Sequence, residues 1–395
     1  MMSSTPSAPH TPDALELGDL PVVDNHCHGL DLQQQPDDLG DWRSRFTESP
    51  HARMRTVDAA DTTFYRRLLR RMASFHSLDP EAGETAVLEA RQRWSTADLT
   101  AALWRDAGID RLVVDTGYPP ADRVVGTDVL AAATGGRPVL LLRLELLFQH
   151  LVAQHASLPA VLEALDASLD DLRSQGFAGL KSIVGYRTGL EVERWDTDVV
   201  ESSFAEARHE VAGTGVVRLG YKPLLDTLLH GALAQAAVQE LPVQFHVGYG
   251  DPDVDLRTAS PLALRAVFEE PAYRGAAIVL LHGCWPYVRE GAYLTAVYQN
   301  AYLDLSYGIP FLSVGELTAM TSAALGAAPF SKLMFSSDGA RVPELHWMGA
   351  HDGRLALSRG LGLLVEDREL STAKAYEVAE RVLAGNARRL YGVPA

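Results

Sequence analysis

The stretch Val22-Val23-Asp24-Asn25-His26-Cys27-His28-Gly29 leads from two apolar residues into a polar end that carries two histidines. In a β-strand, residues two apart point to the same face, so His26 and His28 project together and Cys27 points the other way. Neutral imidazole is a common nitrogen ligand of transition metals. Because H-x-H is short and occurs by chance, this stretch alone supports metal binding and ordinary hydrogen bonding equally.

The composition bounds the class of protein. The chain has 395 residues, of which 47% are hydrophobic and 22% charged, and its formal net charge is −16. Such an acidic chain argues against a nucleic-acid partner, because binding phosphates requires a basic surface. Two cysteines give no disulfide framework, and we see neither a secretory signal nor a run of about 18 apolar residues. We therefore expect a cytoplasmic protein that acts on a small molecule and has no membrane partner.

Short apolar runs alternate with helical patterns along most of the chain. The eight predicted strands lie at about 21–28, 111–116, 139–147, 179–184, 242–247, 277–282, 301–304 and 332–336. Strand–helix alternation means parallel strands with right-handed crossovers, and eight such units predict an α/β fold, a (β/α)8 TIM-like barrel. A doubly wound open sheet is the alternative, but it more often has a glycine-rich phosphate turn after the first strand.

Two regions fall outside this alternation. Residues 1–18 are rich in Ser, Thr, Pro and Ala and are predicted to form a flexible tail. Residues 30–107 are mostly helical in pattern and too long for a simple β-to-α connection. We therefore predict one barrel over residues 19–395, with a helical insertion between strands 1 and 2.

Polar side chains stand at the ends of four predicted strands. They are His26 and His28 on the first strand, His246 on the fifth, His282 on the sixth and Asp338 after the eighth. Barrel enzymes place their chemistry at the C-terminal ends of the strands, so these side chains are expected to converge. Each one alone is more often structural. Together they form a ligand set for a divalent metal.

With these residues, the chain after residue 18 resembles the amidohydrolase superfamily of metal-dependent barrels. The stretches 23–28, 180–190 and 335–338 are similar to its amidohydrolase-related (amidohydrolase 2) branch, which includes the N-terminal domain of nodulin/glutamine-synthetase fusion proteins. The resemblance implies a barrel hydrolase with one or two divalent ions, zinc first and manganese as the alternative. It also implies a homo-oligomer, and it names no particular substrate.

Carried over by position, the resemblance assigns roles to the residues at the strand ends. His26, His28 and His246 would be metal ligands. Asp338 would be both a ligand and the base that takes a proton from a metal-bound water. His282 would be a catalytic residue, either as a ligand of a second metal or as a donor to the substrate carbonyl oxygen.

Residues of the third and fourth strands have open alternatives. Lys181 stands where two-metal members carry a carboxylated lysine that bridges both ions, or else it pairs with Glu145 or binds a substrate carboxylate. Arg143 and Glu145, two apart on the predicted third strand, would share one face and either form a buried ion pair or contact substrate. Tyr186 and Arg187 follow strand four, where an arginine can bind a substrate carboxylate bidentately or lie on the surface.

The leading hypothesis is a metal-dependent hydrolase of a small carboxylate-bearing amide, acting on a C–N bond other than a peptide bond. A metal-activated water would attack, with Asp338 as general base. A γ-glutamyl amide is suggested only by analogy with the synthetase fusions. The alternative is a metal-dependent, non-oxidative decarboxylase of an aromatic or unsaturated acid, because one-metal relatives use a similar ligand set. The third hypothesis is a barrel without catalytic activity, and such a barrel would usually lack one or more of the metal-binding side chains.

Overall fold

In the computed structural model, which describes residues 15–394, eight parallel strands form one sheet in the order β1 to β8. Their bounds are β1 Val22–His28, β2 Ile109–Asp115, β3 Val139–Arg143, β4 Phe177–Ser182, β5 Val243–Phe245, β6 Ile278–Leu280, β7 Ala301–Ser306 and β8 Leu333–Ser336. The Asp338 N–H donates to the carbonyl of His26 at 3.0 Å, and the His28 N–H donates to that of Gly339 at 2.8 Å. These bonds bring the two edges of the sheet together, and the predicted (β/α)8 barrel is confirmed.

Helices surround the strands. Their bounds are α1 Leu39–Arg43, α2 Ala52–Thr56, α3 Thr63–Phe75, α4 Glu84–Gln92, α5 Thr96–Asp106, α6 Thr127–Thr134, α7 Leu144–Gln154, α8 Leu158–Leu169, α9 Thr197–Thr214, α10 Lys222–Val238, α11 Arg265–Glu269, α12 Val288–Val297, α13 Val314–Leu325, α14 Pro343–Glu366, α15 Thr372–Glu380 and α16 Asn386–Tyr391. Among the residues that the structure describes, no helix has the length and apolar character needed to cross a membrane.

The segment between β1 and β2, residues 29–108, contains α1 to α5. Helix α5 is capped at its start by Ser95, whose hydroxyl oxygen accepts the N–H of Asp98 at 3.2 Å. This helix leads directly into β2 and packs against α14, as an ordinary barrel helix does. The earlier part of the segment carries the turn Ser44–Phe46 and residues 47–48 to the mouth of the barrel.

Of the predicted flexible tail, residues 1–14 lie outside the described range. Residues 15–18 contact the barrel: Leu15 and Leu17 are buried, and the Leu15 carbonyl accepts a hydrogen bond from the Ser358 hydroxyl at 2.9 Å. The other end of the chain fills the bottom of the barrel. Ala384, Ala387 and Tyr391 pack against the inward-facing apolar residues of the strands. The opposite end of the barrel, where the strands have their C-termini, is therefore the end that remains open.

Strand β1 changes the direction of its side chains midway. Val23 packs in the inner apolar layer and Cys27 in the outer one, although strict alternation would put both residues on the same face. The pairing of β1 with β2 is irregular between Asp24 and Cys27. As a result His26 lies inside the barrel, and Cys27 faces the helices as predicted.

Strand β3 is shorter than predicted. It ends at Arg143, and Leu144 begins α7, whose buried Leu144, Phe148 and Leu151 follow helical spacing. The expectation that Arg143 and Glu145 share one strand face is therefore wrong. Short apolar runs are ambiguous between strand and buried helix, and here the run 139–148 contains the end of one and the start of the other.

Candidate active site

Three of the predicted metal ligands come together at the C-terminal end of the barrel. Ligand atoms of His26, His28 and Asp338 all lie within 4.8 Å of one another. Asp338 Oδ1 is 3.4 Å from His26 Nε2 and 3.5 Å from His28 Nε2. A tetrahedral ion with ligand bonds of about 2.1 Å holds its ligands roughly 3.4 Å apart. The spacing and the donor set therefore fit a divalent metal ion.

The protonation states also suit a metal. Burial lowers the pKa of His26 to about 3, with the charge of Lys181 acting in the same direction. Burial opposes ionisation of Asp338, but the neighbouring His282, His26 and His28 outweigh it and hold the pKa of this carboxyl well below its usual value. Metal ions bind neutral imidazole and ionised carboxylate, so His26 and Asp338 need no further proton loss.

Asp338 is held tightly by its surroundings. The Tyr249 hydroxyl donates to Asp338 Oδ2 at 2.7 Å, and the preceding residue, Ser337, donates its N–H to the buried Asp24 at 2.8 Å. Asp338 and His282 both adopt left-handed backbone conformations, with φ of 54° and 62°. Such conformations are uncommon for residues other than glycine and concentrate at functional sites, where the surrounding contacts maintain them.

Lys181 lies beside the predicted metal ligands. Its side chain is buried, and Nζ is 3.2 Å from His26 Nε2. The alternative pairing with Glu145 is not formed, because Glu145 accepts instead from the Ser182 hydroxyl at 2.7 Å and from the Ile183 N–H at 2.8 Å. Burial lowers the pKa of Lys181 to about 8. A part of the amine is thus neutral near neutral pH, which is the form that carboxylation requires.

His246 and His282 form a chain of hydrogen bonds in which the proton positions can be assigned. His246 Nε2 lies 2.6 Å from the backbone carbonyl of Tyr249, which can only accept, so Nε2 carries the proton. Burial holds the pKa of both imidazoles well below the usual value, so both rings are neutral. His246 Nδ1, 2.9 Å from His282 Nε2, must then accept the N–H of His282.

This assignment engages both nitrogens of His246, and Nε2 of His282, within the protein. His282 Nδ1 keeps a lone pair: it lies 3.0 Å from the Ser306 hydroxyl, which donates its one proton to Asp304 Oδ1 at 2.9 Å, and 3.4 Å from Asp338 Oδ2. Metal binding by His246 would require breaking one of its hydrogen bonds, and donation from His282 to a substrate carbonyl would require its N–H to leave His246. The roles of both histidines stay predictions.

Arg143 pairs with an aspartate on the neighbouring strand. Its Nε lies 3.0 Å from Asp115 Oδ2, and its Nη2 donates to the same oxygen. Burial would raise the pKa of Asp115, but Arg143, followed by His28 and Lys181, outweighs it and holds that pKa below the usual value. Asp115 Oδ2 is also 3.8 Å from His28 Nδ1. Asp115 therefore lies between Arg143 and His28, one of the predicted metal ligands.

A cavity of about 380 Å³ opens above these residues. Besides the predicted metal ligands, the charged side chains that line it are Arg45, Glu48, Arg143, Lys181, Arg187, Asp251, Asp253 and Arg341. Three of the four arginines have carboxylate partners: Arg45 pairs with Asp41, Arg143 with Asp115 and Arg341 with Asp31. The cavity is thus polar, and most of its positive charge is already balanced.

Arg187 differs from the other three arginines. It has no carboxylate within 4.0 Å among residues 15–394, and its buried Nε has no hydrogen-bond partner there. The one hydrogen bond of its side chain in that range runs from Nη1 to the carbonyl of Tyr186 at 3.3 Å. The Tyr186 ring packs against His246, with ring centroids 4.5 Å apart. Arg187 is therefore the cavity arginine that is available to an anionic ligand.

Comparison with known families agrees with this geometry. The amidohydrolase family model matches residues 152–393, a range that includes Lys181, His246, His282 and Asp338. The chain belongs to the amidohydrolase family. The resemblance that the sequence suggested is thereby confirmed.

Relatives of this amidohydrolase differ in how much of the chain they share. Protein fluG of Emericella nidulans is 32% identical over 230 residues, which are 56% of this chain and 26% of fluG. The chain thus matches about a quarter of that relative's length. A structure described as a metal-dependent hydrolase from Lactobacillus casei is 26% identical, covers 96% of this chain and 98% of its own, and has a TM-score of 0.85. Uronate isomerase from Thermotoga maritima shares the fold. It is 13% identical, covers 95% of this chain and 95% of its own, and has a TM-score of 0.67.

Three residues of the amidohydrolase site were missed in the sequence. Asp115 ends β2 and carried the same strand-end signal as the predicted ligands. Tyr249 comes three residues after His246, in a loop with no periodic pattern, and its contact with Asp338 spans 89 residues. Glu48 lies in the segment between β1 and β2, and nothing in the sequence indicates that this segment reaches the cavity.

Proposed function

We propose that this amidohydrolase hydrolyses the C–N bond of a small amide that carries a carboxylate, such as a γ-glutamyl amide. One observation carries the proposal: His28 and Asp338 of the His26–His28–Asp338 group line the same cavity as Arg187, which has no carboxylate partner among the described residues. Similarity to the metal-dependent hydrolase of Lactobacillus casei supports metal-dependent hydrolysis. The carboxylate is proposed because a half-buried guanidinium without a partner favours an anionic ligand.

His26, His28 and Asp338 would hold the divalent ion, which we propose to be zinc, with manganese as the alternative. When bound, such an ion lowers the pKa of water and polarises a carbonyl group. Tyr249 keeps the Asp338 carboxylate oriented through its hydrogen bond to Oδ2. Asp338 accepts the proton of the attacking water and delivers it to the leaving amine. Arg187 binds the substrate carboxylate and places the amide over these groups.

The reaction is tested by incubating the metal-loaded enzyme with a panel of γ-glutamyl and related carboxylate-bearing amides. Release of free amine in step with loss of the amide supports hydrolysis. Release of carbon dioxide from aromatic or unsaturated acids, with no amide consumed, would replace the proposal with decarboxylation. Both products are measured on the same preparation. Protein that releases neither product is inactive, whereas protein that releases only carbon dioxide catalyses decarboxylation.

Arg187→Gln is expected to raise KM for the amide about ten- to a hundredfold and to leave kcat within roughly threefold, because a charge-assisted hydrogen bond to the bound carboxylate is lost. Steady-state kinetics measures both constants. Arg289→Gln, an exposed change of the same type on α12, is the control and should leave KM unchanged. An unaltered KM in Arg187→Gln would show that Arg187 does not bind the substrate carboxylate.

The number of metal ions is tested with Lys181→Ala. Protein purified with bicarbonate and zinc is analysed for metal per chain beside the unaltered protein. If Lys181 is carboxylated and bridges two ions, we expect two metals per chain, falling to one or none in the variant. One metal in both proteins would exclude the bridging role, and no metal in either would refute the site built on His26 and His28.

A further inference from the structure

Glu48 lines the cavity, and neither the fold nor the proposed reaction uses its charge. It follows the turn Ser44–Phe46 in the segment between β1 and β2, and its side chain is accessible from the cavity. Among residues 15–394, no lysine, arginine or histidine nitrogen lies within 4.0 Å of its carboxylate. When an acidic side chain at a cavity wall has no cationic partner in the protein, it favours a ligand that carries a positive charge.

The surroundings of Glu48 are negative. Asp338 and Asp251 line the same cavity as Glu48. The Asp251 side chain accepts only the N–H of Asp253 among the described residues. Asp253 is neutralised by Arg218 at 2.7 Å. A positive group beside Glu48 would therefore be stabilised by more than one carboxylate.

A metal ion is a poorer occupant for this position than an organic cation. Within the described residues, the one set of three or more candidate ligands that converges within 4.8 Å is His26, His28 and Asp338. Glu48 does not belong to a second such set with Asp251 and Asp253. A single carboxylate is a sufficient partner for an ammonium group, which needs only an ion pair and hydrogen-bond acceptors.

We propose that Glu48 recognises an ammonium group on the substrate, so that the cavity selects amino acid-type compounds carrying both a carboxylate and an ammonium. This rests on the proposed function, in which Arg187 binds the carboxylate. Glu48 would then be a specificity-determining residue contributed by the segment between β1 and β2. Substrates of equal length that lack the amino group would bind less tightly.

The test compares three pairs of ligands that differ only in a 2-amino group: aspartate and succinate, glutamate and glutarate, 2-aminoadipate and adipate. Binding to the metal-loaded full chain is measured by calorimetry. The protein is expected to bind the amino member of at least one pair about tenfold more tightly, the size of effect typical of a partly exposed charge pair. Glu48→Gln should abolish that preference and leave the affinity for the dicarboxylate equal or higher.

Glu201→Gln, the same change on the exposed face of α9, is the matched control and should keep the preference. The inference is overturned if no pair shows a preference for its amino member, or if the preference survives in Glu48→Gln. These results are independent of catalysis. If Glu48→Gln loses the preference but the unaltered enzyme hydrolyses no amide, the ammonium site is supported and the proposed reaction is rejected. If the enzyme hydrolyses an amide but Glu48→Gln keeps the preference, the proposed reaction is supported and the ammonium site is rejected.

Discussion

Asp338→Asn is expected to lower turnover about a thousandfold or more and to leave the barrel folded. The substitution removes the carboxylate that would serve as base and as metal ligand, and losing a positioned proton acceptor alone costs roughly 10²- to 10⁴-fold. Asparagine is chosen because it tolerates the left-handed conformation that Asp338 adopts, with φ of 54°. A loss of activity would then report the chemistry of the side chain and not the backbone.

Two measurements accompany this variant. Metal content per chain should fall, since His26 and His28 would be left with a weaker third ligand, and the circular dichroism spectrum should match that of the unaltered protein. Tyr249→Phe, which removes only the hydrogen bond to Asp338 Oδ2, is expected to give a smaller loss with normal metal content. Full turnover and full metal content in Asp338→Asn would eliminate Asp338 from both roles.

Arg91→Ala is expected to destabilise the fold by about 3–5 kcal/mol. Arg91 on α4 and Glu344 on α14 are both fully buried and form an ion pair with Arg91 Nε 2.6 Å from Glu344 Oε1. Arg91 also lies over the ring of Trp42, with its guanidinium carbon 4.9 Å from the ring centroid. Removing one partner of a buried pair leaves the other charge buried and uncompensated, which is the expensive part of the change.

Urea denaturation followed by fluorescence measures the loss. The control is Arg70→Ala, because Arg70 and Glu81 form an ion pair at 3.0 Å whose side chains are 65% and 74% exposed. That change should stay within about 0.5 kcal/mol. Replacing both buried partners by apolar residues, Arg91→Met with Glu344→Leu, should recover much of the stability. Equal losses in Arg70→Ala and Arg91→Ala would show that burial of the pair contributes nothing.

The order of elements in the sequence was sufficient for the fold and for the centre of the site. Eight apolar runs separated by helical patterns require parallel strands, and parallel strands bring their C-terminal ends to one side of a barrel. His26, His28 and Asp338 could therefore be predicted to meet, although Asp338 lies more than 300 residues from the two histidines in the chain. The end of the third strand could not be predicted, because its apolar run continues without a break into α7.

The partners of the charged residues were decided only by the tertiary structure. A sequence shows which side chains carry charge, but an ion pair depends on distances of a few ångströms between separate elements. Arg143 pairs with Asp115 and not with Glu145, because Glu145 lies in the first turn of α7 and no longer follows the strand. Likewise, the path of the segment between β1 and β2 brings Glu48 to the cavity. Loop paths follow from packing against the whole barrel, which no local pattern encodes.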